Sequence, residues 1–103
     1  MAYTTIDDPS AYFHTQLYTG DGSSNNAITN NANSGDFKPD WLWIKSRSYV
    51  DLHNVFDSSR GRDKRIFTNL ENAEGDSSPD NFLKSFDTDG FTTGNDAGMN
   101  TSS

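Results

Sequence analysis

A chain of 103 residues holds one domain at most, and a domain of that size buries only about 60–65% of its unfolded surface. Its Leu, Ile, Val and Phe total 18, its formal charge is −7, and it has no cysteine, which excludes a disulfide framework and a thiolate metal site. The acidity argues against nucleic acid as a partner, because a phosphate backbone demands a positive field. The longest apolar run, Trp41-Leu42-Trp43-Ile44, falls far short of the ~20 residues a membrane-spanning helix needs, so no membrane insertion is expected. The first nine residues carry neither a basic segment nor an apolar run, so no secretory signal is visible. Thirteen aromatic residues weigh against disorder, since a few large rings can seal a thin core.

Asn, Ser and Thr make up a third of the chain, and these short polar residues favour turns over helix interiors. Helix is therefore disfavoured throughout. Residues 1–10 read as a polar N-terminal arm ending in the turn signal Asp8-Pro9-Ser10, and residues 11–103 as the folded domain. Ala11 to Tyr18 reads as a strand that stops at Thr19-Gly20-Asp21-Gly22. Asn25 to Asp36 is a polar loop, interrupted only by Ala27-Ile28. Pro39-Asp40 then launches the clearest strand, Trp41 to Arg47. Its alternation places Leu42, Ile44 and Ser46 on a core-facing side and Trp41, Trp43, Lys45 and Arg47 on the other.

Further strands are expected over Leu52 to Asp57 and Arg62 to Leu70, separated by the turn Ser58-Ser59-Arg60-Gly61. Residues 72–80 form a loop. The sharpest local signal is Phe82 to Phe86, then Asp87-Thr88-Asp89-Gly90, then Phe91 to Thr93. This predicts a hairpin whose turn is defined by Asp87, Asp89 and Gly90, with Gly90 in the left-handed conformation of a type I turn with a G1 bulge. Residues 94–103 are a small, polar tail. Strands at this spacing predict an all-β antiparallel sandwich or jelly-roll-like pair of sheets.

Several segments are familiar in this order: Tyr18 to Gly22, Pro39 to Arg47, Phe56 to Gly61 and Phe86 to Phe91, together with Ala73-Glu74 and Asn100. Over roughly residues 11–103 the chain resembles a domain of unknown function. That domain recurs, singly and in tandem, in tail, fibre and other structural proteins of marine tailed bacteriophages. The resemblance implies a concanavalin-like β-sandwich and a virion location. Members continue past the Asn-rich tail into a further apolar strand of the type Tyr-Val-Ala-Trp. The chain is therefore expected to be the N-terminal part of a longer protein, its sheet lacking or borrowing a final strand. A sheet one strand short invites another chain to pair with it.

Each chemistry-bearing residue also has a plainer role open to it. Asp87-Thr88-Asp89-Gly90 followed by Asp96 is similar to a calcium loop. However, its first position would be Ser85, its last ligand is not Glu, and flanking helices are missing. No metal or cofactor is expected. Asp51, His53 and Ser58 lack the nucleophile elbow of a catalytic triad, and no enzymatic role is expected. Arg60, Arg62, Lys64 and Arg65 gather four of the eight cations and are candidates for docking an acidic surface or sugar, or for simple pairing with nearby carboxylates. Trp41, Trp43 and Tyr49, with Tyr12 and Tyr18, are candidates for core packing, a protein interface or a stack on glycan. The expected role is a structural tail-fibre or tail-associated module that self-associates as a trimer or larger and supports host attachment. A glycan-binding or capsid-decorating module is the alternative.

Overall fold

The computed structural model describes residues 8–76 and 81–102. Asp8 caps a single 3-10 turn, Pro9–Ala11, its Oδ1 accepting from the Ser10 N–H (3.0 Å) and hydroxyl (2.7 Å). Among the described residues seven strands follow: β1 (Asn26–Thr29), β2 (Trp41–Ile44), β3 (Asn54–Asp57), β4 (Lys64–Phe67), β5 (Gly75–Asp76), β6 (Leu83–Asp87) and β7 (Gly90–Thr93). A four-residue helix, α1 (Ala97–Asn100), comes last. The strands form two antiparallel sheets, ordered β1-β7-β6 and β2-β3-β4-β5.

The sheets share one core. Ile44 and Phe56 from the four-stranded sheet meet Leu83 and Phe91 from the other, and Met99 of α1 closes the cluster. Tyr18, Ile28, Leu42, Phe82 and Phe86 pack around it. The expected all-β sandwich is what forms, and the reading of β2 holds in detail. Ile44 is buried and Leu42 half-buried, while Trp41 and Trp43 remain 50% and 53% exposed.

The hairpin β6–β7 also forms where expected, but its irregularity lies elsewhere. Asp87 pairs directly with Gly90 across Thr88-Asp89, and the register shift falls between Leu83 and Ser85, at Lys84. Gly90, at φ +149°, is required for a different reason. A Cβ there would lie 1.8 Å from the Ile28 carbonyl oxygen, so glycine is what lets β7 lie against β1.

Four other expectations differ from the structure. Ala11 to Tyr18 is not a strand. Its first residues are spent in the turn after Pro9. Beyond that, its contacts run through side chains, with Gln16 against Asn30 and the Tyr18 hydroxyl on the Met99 carbonyl. The loop expected over 25–36 contains β1, whose Asn26 and Ile28 face inward and whose Ala27 and Thr29 stay exposed. The loop expected over 72–80 contains β5, and its remaining residues 77–80 lie outside the described residues. The ladders over Trp41 to Arg47, Leu52 to Asp57 and Arg62 to Leu70 are shorter than expected, each only four residues.

The polar tail is the sandwich's clasp. Asp96 caps α1, its Oδ1 accepting from the Gly98 N–H at 2.9 Å. Asn100, fully buried, accepts through Oδ1 from the Asp21 N–H (3.0 Å) and Asn26 Nδ2 (2.7 Å). Its Nδ2 donates to Asp21 Oδ1 (3.0 Å), the Ser23 carbonyl (2.9 Å) and the Gly94 carbonyl (3.0 Å). The Gly22 N–H adds a bond to the Asn100 carbonyl at 2.8 Å. One side chain thus ties the chain's end to the segment that leads into β1. Tyr18 reinforces the junction. Its hydroxyl donates to the Met99 carbonyl at 2.5 Å and its ring meets Phe91 edge-on, and burial pushes the phenol up to about 12.

Candidate interaction surface

A cleft of about 1010 Å³ opens between the extended segment 11–20 and β2. Ile44, Phe91 and Met99 of the buried core form its floor. Its aromatic and apolar walls include Tyr12, Phe13, Leu17, Trp41 and Trp43, which are 67%, 69%, 72%, 50% and 53% exposed. Trp41 and Trp43 stand edge to face at 81°, their centroids 6.0 Å apart. The Trp43 indole N–H donates to His53 Nδ1 at 3.1 Å, which fixes that ring on the outer face of the sheet. Tyr49 lies in the loop after β2, 47% exposed beside the fully open Val50.

The rim of this cleft differs in charge from the rest of the molecule. Lys38, Lys45 and Arg47 line it against one carboxylate, Asp40, although acids outnumber cations 15 to 8 in the whole chain. None of the three cations forms an ion pair among the described residues. Lys45 Nζ turns instead to the carbonyls of Ser46 (2.6 Å) and Tyr49 (3.4 Å).

A family model, Domain of unknown function (DUF7483), matches residues 8–103. The chain belongs to this family. No curated protein and no solved structure matches it.

The cationic cluster of this DUF7483 domain is occupied with its own fold. Arg60 binds Asp57 (2.9 Å) and Glu74 (3.2 Å), Arg62 reaches the Lys84 carbonyl (2.8 Å) and lies 3.9 Å from Asp63, and Lys64 pairs with Asp76. These contacts hold Arg60 and Lys64 above their ordinary values and Asp76 below its own. Arg65 is half-buried rather than presented to solvent. Its guanidinium lies 3.8 Å from the Phe82 ring centroid and 5.1 Å from that of Phe67, and it donates to Asn54 Oδ1 at 3.1 Å. It roofs the core through cation–π contact.

The turn carboxylates of the domain are also engaged. Asp87 accepts from the hydroxyls of Ser85 (2.6 Å) and Thr92 (2.7 Å), and Asp89 accepts from the Phe37 N–H at 2.9 Å. No group of His, Asp and Glu able to hold a metal ion occurs among the described residues. Asp51, His53 and Ser58 are not brought together. Asp51 lies against Gly98, His53 serves Trp43, and Ser58 bonds Asp40 at 3.2 Å. Sequence reasoning missed the rim cations Lys38, Lys45 and Arg47 as a group, because segments on both sides of the cleft had first to be placed.

Proposed function

We propose that this chain is a structural module of a tailed-phage particle, a tail-fibre or tail-associated domain that docks onto the tail and supports host attachment. One observation carries the reading. Among the described residues the domain buries seven apolar side chains in its core but leaves eight large ones exposed, among them Val50 at 98% and Leu17 at 72%. A soluble monomer rarely keeps large apolar patches open, and patches of this kind mark protein contacts. The small core leaves a thin margin of stability, which neighbours in an assembly enlarge. The ordered resemblance to phage structural proteins supports the virion location, the marine-phage origin and the concanavalin-like type of sandwich. Self-association as a trimer or larger would cover the aromatic face, and catalysis forms no part of the role.

Cross-linking mass spectrometry on intact particles of the phage that encodes the chain tests this reading. Cross-links from the 11–20 and 38–50 segments to other virion proteins are expected, with trimers or larger in analytical ultracentrifugation. Absence of the chain from purified particles, together with a monodisperse monomer, refutes it.

The exposed Trp41 and Trp43 favour a second reading, a lectin-like module for host glycan or a capsid decoration protein. Their edge-to-face geometry offers a sugar one ring rather than a continuous shelf. A glycan array without a hit, with host adsorption unchanged by Trp43→Ala, removes the glycan version.

A further inference from the structure

The strand order leaves β2 at one end of its sheet, and the hydrogen-bond phase shows which of its groups are free. The Ser58 N–H donates to the Asp40 carbonyl at 2.8 Å, so residues 40 and 58 face each other as a hydrogen-bonded pair. In an antiparallel ladder such pairs alternate, which makes Leu42 with Phe56 and Ile44 with Asn54 the next two. The N–H and C=O groups of Trp41 and Trp43 therefore point away from β3, into the open side of the sheet. They have no backbone partner among the described residues. At about 3.3 Å per residue, β2 offers about 13 Å of unpaired edge. This edge borders the cleft whose floor is formed by the buried Ile44, Phe91 and Met99 and whose walls carry the exposed Phe13 and Leu17. The rim beside it carries Lys38, Lys45 and Arg47 without ion pairs, facing one carboxylate, Asp40.

We infer that this edge binds an extended, acidic segment of another polypeptide, which joins the sheet as a strand beside β2. Each part of the site selects one property of the occupant. The unpaired groups of Trp41 and Trp43 select an extended backbone, since only a strand presents donors and acceptors at that repeat. The apolar cleft selects apolar side chains at alternate positions, pointing inward over Phe13, Leu17 and Ile44. The unpaired cations select carboxylates on the outer positions, and opposite charges both steer and align such a partner. The inference rests on the assembly role proposed above and names the chemistry of the partner.

The test uses the 1–103 chain and a fluorescein-labelled decapeptide that alternates Val with Asp and Thr, followed by fluorescence anisotropy. Two control peptides accompany it, one with alternate amides N-methylated and one with Lys in place of Asp. Binding below about 1 mM is expected for the first peptide, weakened about tenfold or more by either control change. The double variant Lys45→Glu, Arg47→Glu, shown to be folded by an unchanged urea midpoint, loses binding to the acidic peptide and gains it for the Lys peptide. Equal binding of the N-methylated peptide, or no binding at about 1 mM, overturns the inference. Dimers that protect the Trp41 and Trp43 amides without peptide would make a second copy the occupant and overturn it too. Absence of the chain from phage particles would refute the assembly role alone, because the peptide titration does not depend on particles.

Discussion

Removing the Asn100 side chain should unlock the junction between the chain's end and the segment before β1. In Asn100→Ala, five side-chain hydrogen bonds vanish from a site with no solvent exposure. Each is worth about 0.5–1.5 kcal/mol net, and a buried polar group left unpaired costs about 1–3 kcal/mol. Asp21 and Ser23 are exposed and can be rehydrated, whereas the Gly94 carbonyl is buried and cannot. The expected loss is therefore about 3 kcal/mol, the lower part of the summed range. With a urea m-value of about 1 kcal/mol/M for a chain this size, the unfolding midpoint should fall by about 3 M. Asn100→Asp should be worse than alanine, although it is nearly isosteric. It replaces the donor to Asp21 Oδ1, Ser23 and Gly94 with a buried carboxylate facing another carboxylate. Urea denaturation followed by tryptophan fluorescence reads both variants. A loss below about 1 kcal/mol for alanine, or an aspartate variant milder than alanine, would refute the clasp.

Gly90→Ala should cost about 3 kcal/mol or more, since its Cβ meets the Ile28 carbonyl oxygen at 1.8 Å, while Gly75→Ala, with nothing within 4 Å, should stay within about 0.5 kcal/mol. Comparable urea midpoints for the two would contradict the close approach of β7 to β1. Tyr18 is held neutral by burial up to about 12, while the unfolded phenol ionises near 10, so its contribution is complete below pH 10 and lost as pH rises through that window. Tyr18→Phe should lose about 1 kcal/mol at pH 7 and show a flatter stability profile between pH 10 and 12; a profile parallel to the parent's would exclude this origin. Asp96 is shifted upward, chiefly by burial and also by the nearby Asp51 charge, so its ionised form costs stability at neutral pH and the cost is relieved as pH falls. Asp96→Asn keeps the cap and should raise the urea midpoint at pH 7, with the gain vanishing below the ordinary carboxylate range; a lowered midpoint at pH 7 would contradict this.

Those parts of the fold governed by local pattern were legible in the sequence. Trp41-Leu42-Trp43-Ile44 alternates on a sheet with one face on the core, so period two alone assigns its faces. Asp87 to Gly90 carries turn chemistry within four residues. Elsewhere propensity and pairing part company. Tyr12, Phe13 and Leu17 have the composition of a strand, yet they stay exposed and no ladder forms on them, whereas polar Asn26–Thr29 becomes β1 because β7 offers an edge. The candidate surface was half legible. Trp41, Trp43 and Tyr49 are about half exposed, where their residue types alone left core packing and surface contact both open, and Arg65 turns onto Phe82, 17 positions away in sequence. Asn100 carries no local signal either, since its bonds to Asp21 and Asn26 span 79 and 74 positions. An Asn in a polar tail reads as loop until its partners are placed.

Residue-resolved hydrogen exchange on β2, in the isolated chain and in the assembled particle, tests most directly whether this sandwich is finished by a neighbour. In the isolated chain the Leu42 and Ile44 amides should be protected and those of Trp41 and Trp43 should exchange freely. In the particle all four should be slow. Protection of all four amides in the isolated chain, or free exchange at Trp41 and Trp43 within the particle, would contradict the account.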